Sequence, residues 1–287
     1  MLLRPNSDPW RIADVLEQVQ PIAGQLTEPA ELRLELDDFK PDVVYHLGWS
    51  GSGRNGRDDV RQQNQNLAAA LAMVDLAAGA GAAAWIGLGS QAEYGPTDSV
   101  LDESTPTRPV TEYGTAKLSA GQLTGELCAT RSLRHVWLRL VTAYGPADRP
   151  SYLIPHVILS LLHGSRPALT EGSQPGDFLN VADACAAIRM SASTESCAGT
   201  YVLASGEHRP VREVALAIRD MIDPRLEIGL GELVPNLSPV GLRGDPRALE
   251  LATGWSPAVP LEAGLSGCVE WYRRNLSRYP KENAQWT

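Results

Sequence analysis

Cysteine is scarce. Cys128, Cys185, Cys197 and Cys268 are the only four in 287 residues, and no two stand at CxxC or metal-ligand spacing. That argues against a disulfide-stapled scaffold and reads as reduced, mostly buried thiols of a cytoplasmic protein. Long apolar runs are lacking too: nothing approaches the ~20 residues of a membrane span, and the opening MLLRPNSDPW has no apolar core of a secretion signal. Positive charge is in deficit, 25 Lys and Arg against 34 Asp and Glu, a formal net charge of −9. Such a surface repels nucleic acid and anionic membranes, so neither is expected as a partner. A small anionic ligand, which senses only local charge, stays open. Internal repeats and low-complexity segments are absent. His135, His156, His163 and His208 form no motif, and no metal is expected.

What the sequence does contain is alternation. Asp42-Val43-Val44-Tyr45-His46-Leu47, Ala84 to Gly89 and Val136 to Val141 read as strands, and Arg57–Gly79 and Glu112–Thr130 as helices. The strands are continuously apolar rather than alternating, which predicts a parallel sheet covered on both faces. From about residue 145 prolines become frequent, strands shorten, and the helices predicted over Val211–Met221 and Leu261–Asn275 stand alone. The expected division is a main domain over 1–145 with part of 177–205, and a smaller substrate-holding lobe mainly from 146–287.

Tyr113-Gly114-Thr115-Ala116-Lys117 is a YxxxK pentad on a predicted helix. Residues four apart share a helix face, so the lysine ammonium can sit near the phenol and favour its phenolate, turning a group of pKa ≈ 10 into an acid/base near neutrality. Alone, the pentad fits an ordinary solvated helix face equally well. Ser90, at the end of the strand 84–89, sharpens it: strand carboxyl ends of a parallel sheet open onto the ligand crevice, where a hydroxyl can bond the oxygen that the tyrosine protonates. The plainer role for Ser90 is a helix cap.

Together these residues resemble the extended short-chain dehydrogenases/reductases. Gly89-Ser90-Gln91-Ala92-Glu93-Tyr94-Gly95 is similar to their SxxxYG segment, His46-Leu47-Gly48 to the motif ending their fourth strand, and Asn66 to the asparagine opening the next helix. Tyr144-Gly145-Pro146, Asp177-Phe178-Leu179-Asn180-Val181 and Gly254-Trp255-Ser256-Pro257 match later landmarks in the right order. The resemblance implies a Rossmann-like doubly wound α/β sheet. It also implies Ser90, Tyr113 and Lys117 as catalytic residues. It places Arg4, Leu26, Leu47, Gly48, Trp49, Asn66, Tyr113, Lys117 and Leu140 against NAD or NADP, and Gln91, Thr142, Gly176 and Asp177 against substrate. Relatives dimerise through the helices at 57–79 and 113–130, so a homodimer is expected. The HLGW and GSQAEYG segments look most like 4-ketoreductases of nucleotide-linked deoxysugars, such as those making CDP-abequose and CDP-paratose. Hydride transfer from NAD(P)H to a sugar carbonyl, C4 by this resemblance, follows. An epimerase or dehydratase on the same substrates is the alternative; dehydratases carry two carboxylates directly after the serine, where this chain has Gln91 and Ala92, with Glu93 one residue too far along.

The sequence departs from the family in one large respect. A GxxGxxG turn holds the cofactor pyrophosphate in relatives, yet here Gly24 is the only glycine before Gly48, and Leu2-Leu3-Arg4-Pro5-Asn6 resembles the end of the second strand. The first strand-helix unit of the family pattern is therefore missing. Either the natural chain starts about thirty residues earlier, or this is a decayed, catalytically inactive homologue; the intact catalytic trio favours the first. Without that turn, NADPH is expected to bind poorly. Gly51-Ser52-Gly53-Arg54-Asn55-Gly56 fits GxGxxG literally, but only 57 residues separate Gly56 from Tyr113, too few for the intervening strand-helix units, and it reads as a loop beside the sugar pocket. Gln25 stands where relatives carry an adenine-contacting aspartate, and Gly176 where many carry a diphosphate-binding arginine. Arg4 reads either as an exposed terminal arginine or as a partner for a 2′-phosphate; the second favours NADPH.

Overall fold

A computed structural model describes residues 1–53, 56–234 and 241–281. The chain divides into two compact units. The first comprises Met1–Pro96, Glu103–Leu140 and Ile188–Tyr201; the second Thr97–Asp102, Val141–Ala187 and Val202–Thr287. Thr97–Asp102 and the residues from Val141 to Gly145 thus go with the second unit, not with the first as a boundary at 145 would have it.

In the first unit β1 (Leu2–Leu3) pairs in parallel with β2 (Ile22–Ala23), and α1 (Arg33–Phe39) follows. β3 (Val43–His46), α2 (Val60–Gly79), β4 (Ala84–Ser90), α3 (Glu112–Thr130) and β5 (Arg134–Leu140) then alternate as the apolar pattern requires. β3, β4 and β5 lie side by side in parallel, and the sheet is completed beyond β5 by β9 (Gly199–Leu203), giving the order β3-β4-β5-β9. The expected Rossmann-like α/β architecture is present. Among the described residues no ladder joins β1-β2 to this sheet, so β3 pairs on one side only and Tyr45 is 44% exposed. Instead Leu2, Ile22, Leu26 and Leu36 pack against Leu32, Met73 and Leu76, which seats the small sheet on α2.

Helix α2 starts at Val60, three residues later than its apolar stripe suggested, because Asp59 caps it: its carboxylate accepts from the Gln62 amide (3.1 Å). Thr111 caps α3 likewise through the Gly114 amide (3.1 Å). β4 is buried along nearly its whole length, as a strand covered on both faces must be. Its glycines have a steric role. A Cβ at Gly87 would strike the rings of Trp85 and Trp137, and one at Gly89 would strike the Trp137 ring and the Glu93 carboxylate.

The second unit contains β6 (Ala143–Tyr144) beside β8 (Leu179–Asn180), and β7 (Pro175–Asp177) antiparallel to β10 (His208–Pro210). Its core is formed largely by α4 (Leu153–Leu162), α5 (Val211–Ile222) and α6 (Leu261–Arg274) around Ile158, Leu159, Ile218 and Tyr272.

Candidate active site

The site forms where β4 ends. Ser90 closes the strand and caps a short 3-10 turn, Gln91–Glu93: its Oγ accepts from the Ala92 amide (3.2 Å) while Glu93 Oε1 reaches back to the Ser90 amide (2.8 Å). This reciprocal capping box fixes the serine backbone. Ser90 therefore does cap a helix, and its hydroxyl hydrogen is still available to donate.

Helix α3 is brought against this turn by a missing side chain. A Cβ on Gly114 would collide with the carbonyl oxygen of Ala92, so α3 seats directly on the backbone of the Ser90 turn with Tyr113 beside the contact. Tyr113 is 9% exposed and Lys117 3%. The Tyr113 amide donates to the Arg57 carbonyl (2.8 Å), the Arg57 guanidinium lies 4.9 Å from the phenol ring centre, and the Trp49 ring meets Tyr113 edge-on at 6.4 Å. Lys117 Nζ donates to the Leu88 carbonyl (2.7 Å) and stands 3.8 Å above the Trp49 ring. Burial pulls its pKa down to about 7, and the Glu93 carboxylate opposes that fall. His46, stacked on Trp85 at 5.3 Å, is held to about 4, first by burial and then by the Lys117 charge.

The loop after β3 is clamped from α2. Asn66 accepts from the Ser50 amide (3.1 Å) and donates to the Ser50 carbonyl (2.8 Å). Gln63, one turn earlier, donates to the carbonyls of Gly51 and Gly56 and accepts from Trp49 Nε1 (2.8 Å). The amide of Asn66 is thus occupied in shaping the loop that carries Trp49. Arg54 and Asn55 of the GxGxxG-like stretch lie outside the described residues.

Of the remaining expected cofactor contacts, Leu26 packs directly on Gly48, where a Cβ would strike its Cδ1, and Leu140 pairs with Ser90 across β4 and β5. Leu47 is 45% exposed, and Arg4 is exposed beyond β1. Gln91, the expected substrate contact in this unit, lies half-buried in the turn after Ser90. Thr142, Gly176 and Asp177 belong to the second unit. Asp177 is fully buried; its oxygens accept from the amides of Ser205 (2.8 Å) and Gly206 (3.0 Å), and His208 Nε2 is 3.9 Å away. Those contacts brace the 205–206 turn, and burial raises the pKa of Asp177. Gly176 leaves room for the Phe178 ring. Thr142 offers its carbonyl to the Leu179 amide.

One group escaped the sequence reading. Glu93 is fully buried, and besides Ser90 it accepts from Trp137 Nε1 (3.0 Å) and Arg139 Nε (2.7 Å). The available signal was the pair Trp137 and Arg139, two apart on one strand and so on one face of the sheet.

The NAD dependent epimerase/dehydratase family pattern matches residues 3–204. The chain belongs to that family. An Escherichia coli K12 relative, dTDP-glucose 4,6-dehydratase 1, is 30% identical over 193 residues, covering 61% of this chain and 51% of its own. The chain spans about half the length of the curated relatives it matches, 52% in the case of the Xanthomonas campestris dehydratase. RMD from Pseudomonas aeruginosa, solved with NADPH, superposes with a TM-score of 0.78 at 20% identity over 96% of this chain and 99% of its own. Bordetella bronchiseptica WbmG, solved with NAD and UDP, gives 0.79 at 22% over 95% and 85%. At those identities the superpositions speak for the fold. The residues present fit a nicotinamide cofactor on the side of α3: Tyr113 and Lys117, buried beside the Trp49 ring, offer a phenol and an ammonium. The segment after β1, Arg4-Pro5-Asn6-Ser7-Asp8-Pro9, which the resemblance puts after the second strand and not at the pyrophosphate turn, has two prolines without N–H groups and no glycine.

Proposed function

We propose that this family member reduces a keto group, C4 by its motif resemblance, of a nucleotide-linked deoxysugar, using NADPH in preference to NADH. The observation that carries the reading is the seating of the Tyr113–Lys117 helix on the Ser90 turn through Gly114. The bound nicotinamide would supply the hydride. Tyr113 gives the substrate oxygen its proton, Ser90 orients that oxygen through its hydroxyl, and Lys117 holds a positive charge beside them that favours the phenolate of Tyr113. The buried setting strengthens each of these interactions by excluding water. UDP bound to WbmG and NADPH bound to RMD support the substrate and cofactor classes. We further place the protein in the cytoplasm, as four free cysteines favour, and as a homodimer through α2 and α3, where Leu123 is 39% exposed. Among the described residues no helix is long and apolar enough to cross a membrane.

A dehydratase reading draws support from the names of the curated relatives. Gln91 and Ala92, at the positions that would carry its carboxylates, speak against it. The test is NADPH oxidation with 4-keto-6-deoxy sugar nucleotides. Stoichiometric oxidation that falls at least ~100-fold in Tyr113→Phe supports the reductase. Isomerised sugar, or a 4-keto-6-deoxy sugar formed when the parent nucleotide-linked hexose is supplied instead, with no net NADPH consumption supports the alternative.

A further inference from the structure

Glu93 is a buried carboxylate with no role in the chemistry just described. One oxygen receives the Ser90 amide at 2.8 Å and Trp137 Nε1 at 3.0 Å; the other receives Arg139 Nε at 2.7 Å. Its side chain is fully buried and that of Arg139 is 12% exposed. Arg139 continues to the Tyr94 hydroxyl (3.2 Å), which ties the far end of the same turn. Gly89 is glycine because this carboxylate and the Trp137 ring fill the space a Cβ would take. Lys117 approaches the same strand end from the other element: its Nζ bonds Leu88 and lies 5.7 Å from the centre of the Trp137 ring whose N–H Glu93 receives.

We infer that Glu93 is a positioning residue of the Ser90, Tyr113 and Lys117 centre, its carboxylate fixing the Ser90 backbone and supplying the negative charge that faces the buried ammonium of Lys117. The inference rests on the reductase reading for its catalytic consequence, but not for its electrostatics. Among the described residues the groups around Lys117 come from several elements besides its own helix. Glu93 comes from the 3-10 turn with Arg139 behind it on β5, His46 and the Trp49 ring from β3 and its loop, and Tyr113 from its own helix. α2 contributes the uncharged Gln63, bound to Trp49. Among the described residues Glu93 is the acidic side chain of this group, and its carboxylate favours the protonated lysine. Arg139 occupies one oxygen, so the Ser90 amide and Trp137 fix the orientation of the other.

The experiment follows Lys117 Cε and Glu93 Cδ by carbon NMR in the whole chain from about pH 5 to 9, together with the pH profile of kcat/KM. In the unmodified protein the Glu93 signal is expected to shift with the midpoint of Lys117. In Glu93→Gln the Lys117 midpoint falls by about one pH unit or more, and the alkaline limb of kcat/KM moves down with it. Glu93→Asp restores the limb, while kcat drops about tenfold or more because the shorter arm displaces the Ser90 amide. A Lys117 midpoint unchanged in Glu93→Gln overturns the inference. If that variant does not fold, a Glu93 signal in the unmodified protein that stays still while Lys117 titrates overturns it equally. Coupled signals in a protein that oxidises no NADPH support the charge relation and count against the reductase reading alone.

Discussion

His46 offers a quantitative test of how the site is buried. It ends β3, is 5% exposed, stacks on Trp85 and lies within the field of the Lys117 ammonium. Its pKa is lowered from 6.5 to about 4, with burial the larger cause. The folded protein therefore refuses a proton that the unfolded chain accepts. As pH falls below 6.5 the unfolded state gains that proton, and stability drops until the folded histidine also titrates near 4. At 1.36 kcal/mol per pH unit over that interval, the loss attributable to His46 reaches roughly 3 kcal/mol. His46→Phe keeps a ring against Trp85 and abolishes the titration, so at pH 7 it is expected to alter stability by less than about 1.5 kcal/mol. Urea unfolding, followed by the fluorescence of the seven tryptophans, gives the free energy at several pH values between 7 and 4. The curve for His46→Phe should decline less steeply below pH 6.5, the two diverging by roughly 3 kcal/mol near pH 4. His135, lowered to about 4 by its own burial, gives both proteins the same background. Parallel curves for the two proteins refute the account of a buried, neutral His46.

Further outcomes follow from single contacts. Gly114→Ala puts a methyl group into the Ala92 carbonyl, which must shift; we expect about 1–3 kcal/mol of destabilisation by urea unfolding and at least tenfold lower kcat, with near-normal values of both refuting the proposed seating. Asp177→Asn leaves the Ser205 and Gly206 amides with a weaker acceptor. It should cost about 1–3 kcal/mol while leaving substrate KM unchanged, and a rise in KM without loss of stability would restore Asp177 to the substrate site. Two charge-assisted bonds to a pyrophosphate are worth about 3–6 kcal/mol, so the lack of a GxxGxxG turn among these residues should leave this chain with an NADPH Kd in the range of about 0.1 to 10 mM. A low-micromolar value in a fluorescence titration contradicts that.

Much of the fold was legible because its signals are local. The continuous apolarity of β4 announced a strand covered on both faces, and the helix predicted over Glu112–Thr130 has those bounds in the structure. The start of α2 was less so: Arg57 and Asp58 carry on the helical spacing, and only the capping geometry of Asp59 shows where the coil begins. The contacts of Asp177 were hidden for a different reason. A carboxylate in a family landmark looks the same in sequence whether it faces a ligand or two backbone amides, and Ser205 lies 28 residues away.

What the sequence by itself determined is whatever depends on neighbours within a turn or a strand. That includes the order of helices and strands, the placing of Tyr113 and Lys117 four residues apart on one face, and Ser90 at a strand end. Tertiary structure decided the electrostatics. Glu93 gains its function only from Trp137 and Arg139, 44 and 46 residues further on, and Lys117 has its depressed pKa only because packing removes it from water. Periodicity acts over a few residues and can be read along the chain. Burial and charge pairing join residues far apart in sequence, and they exist only once the sheet and its helices have closed around them.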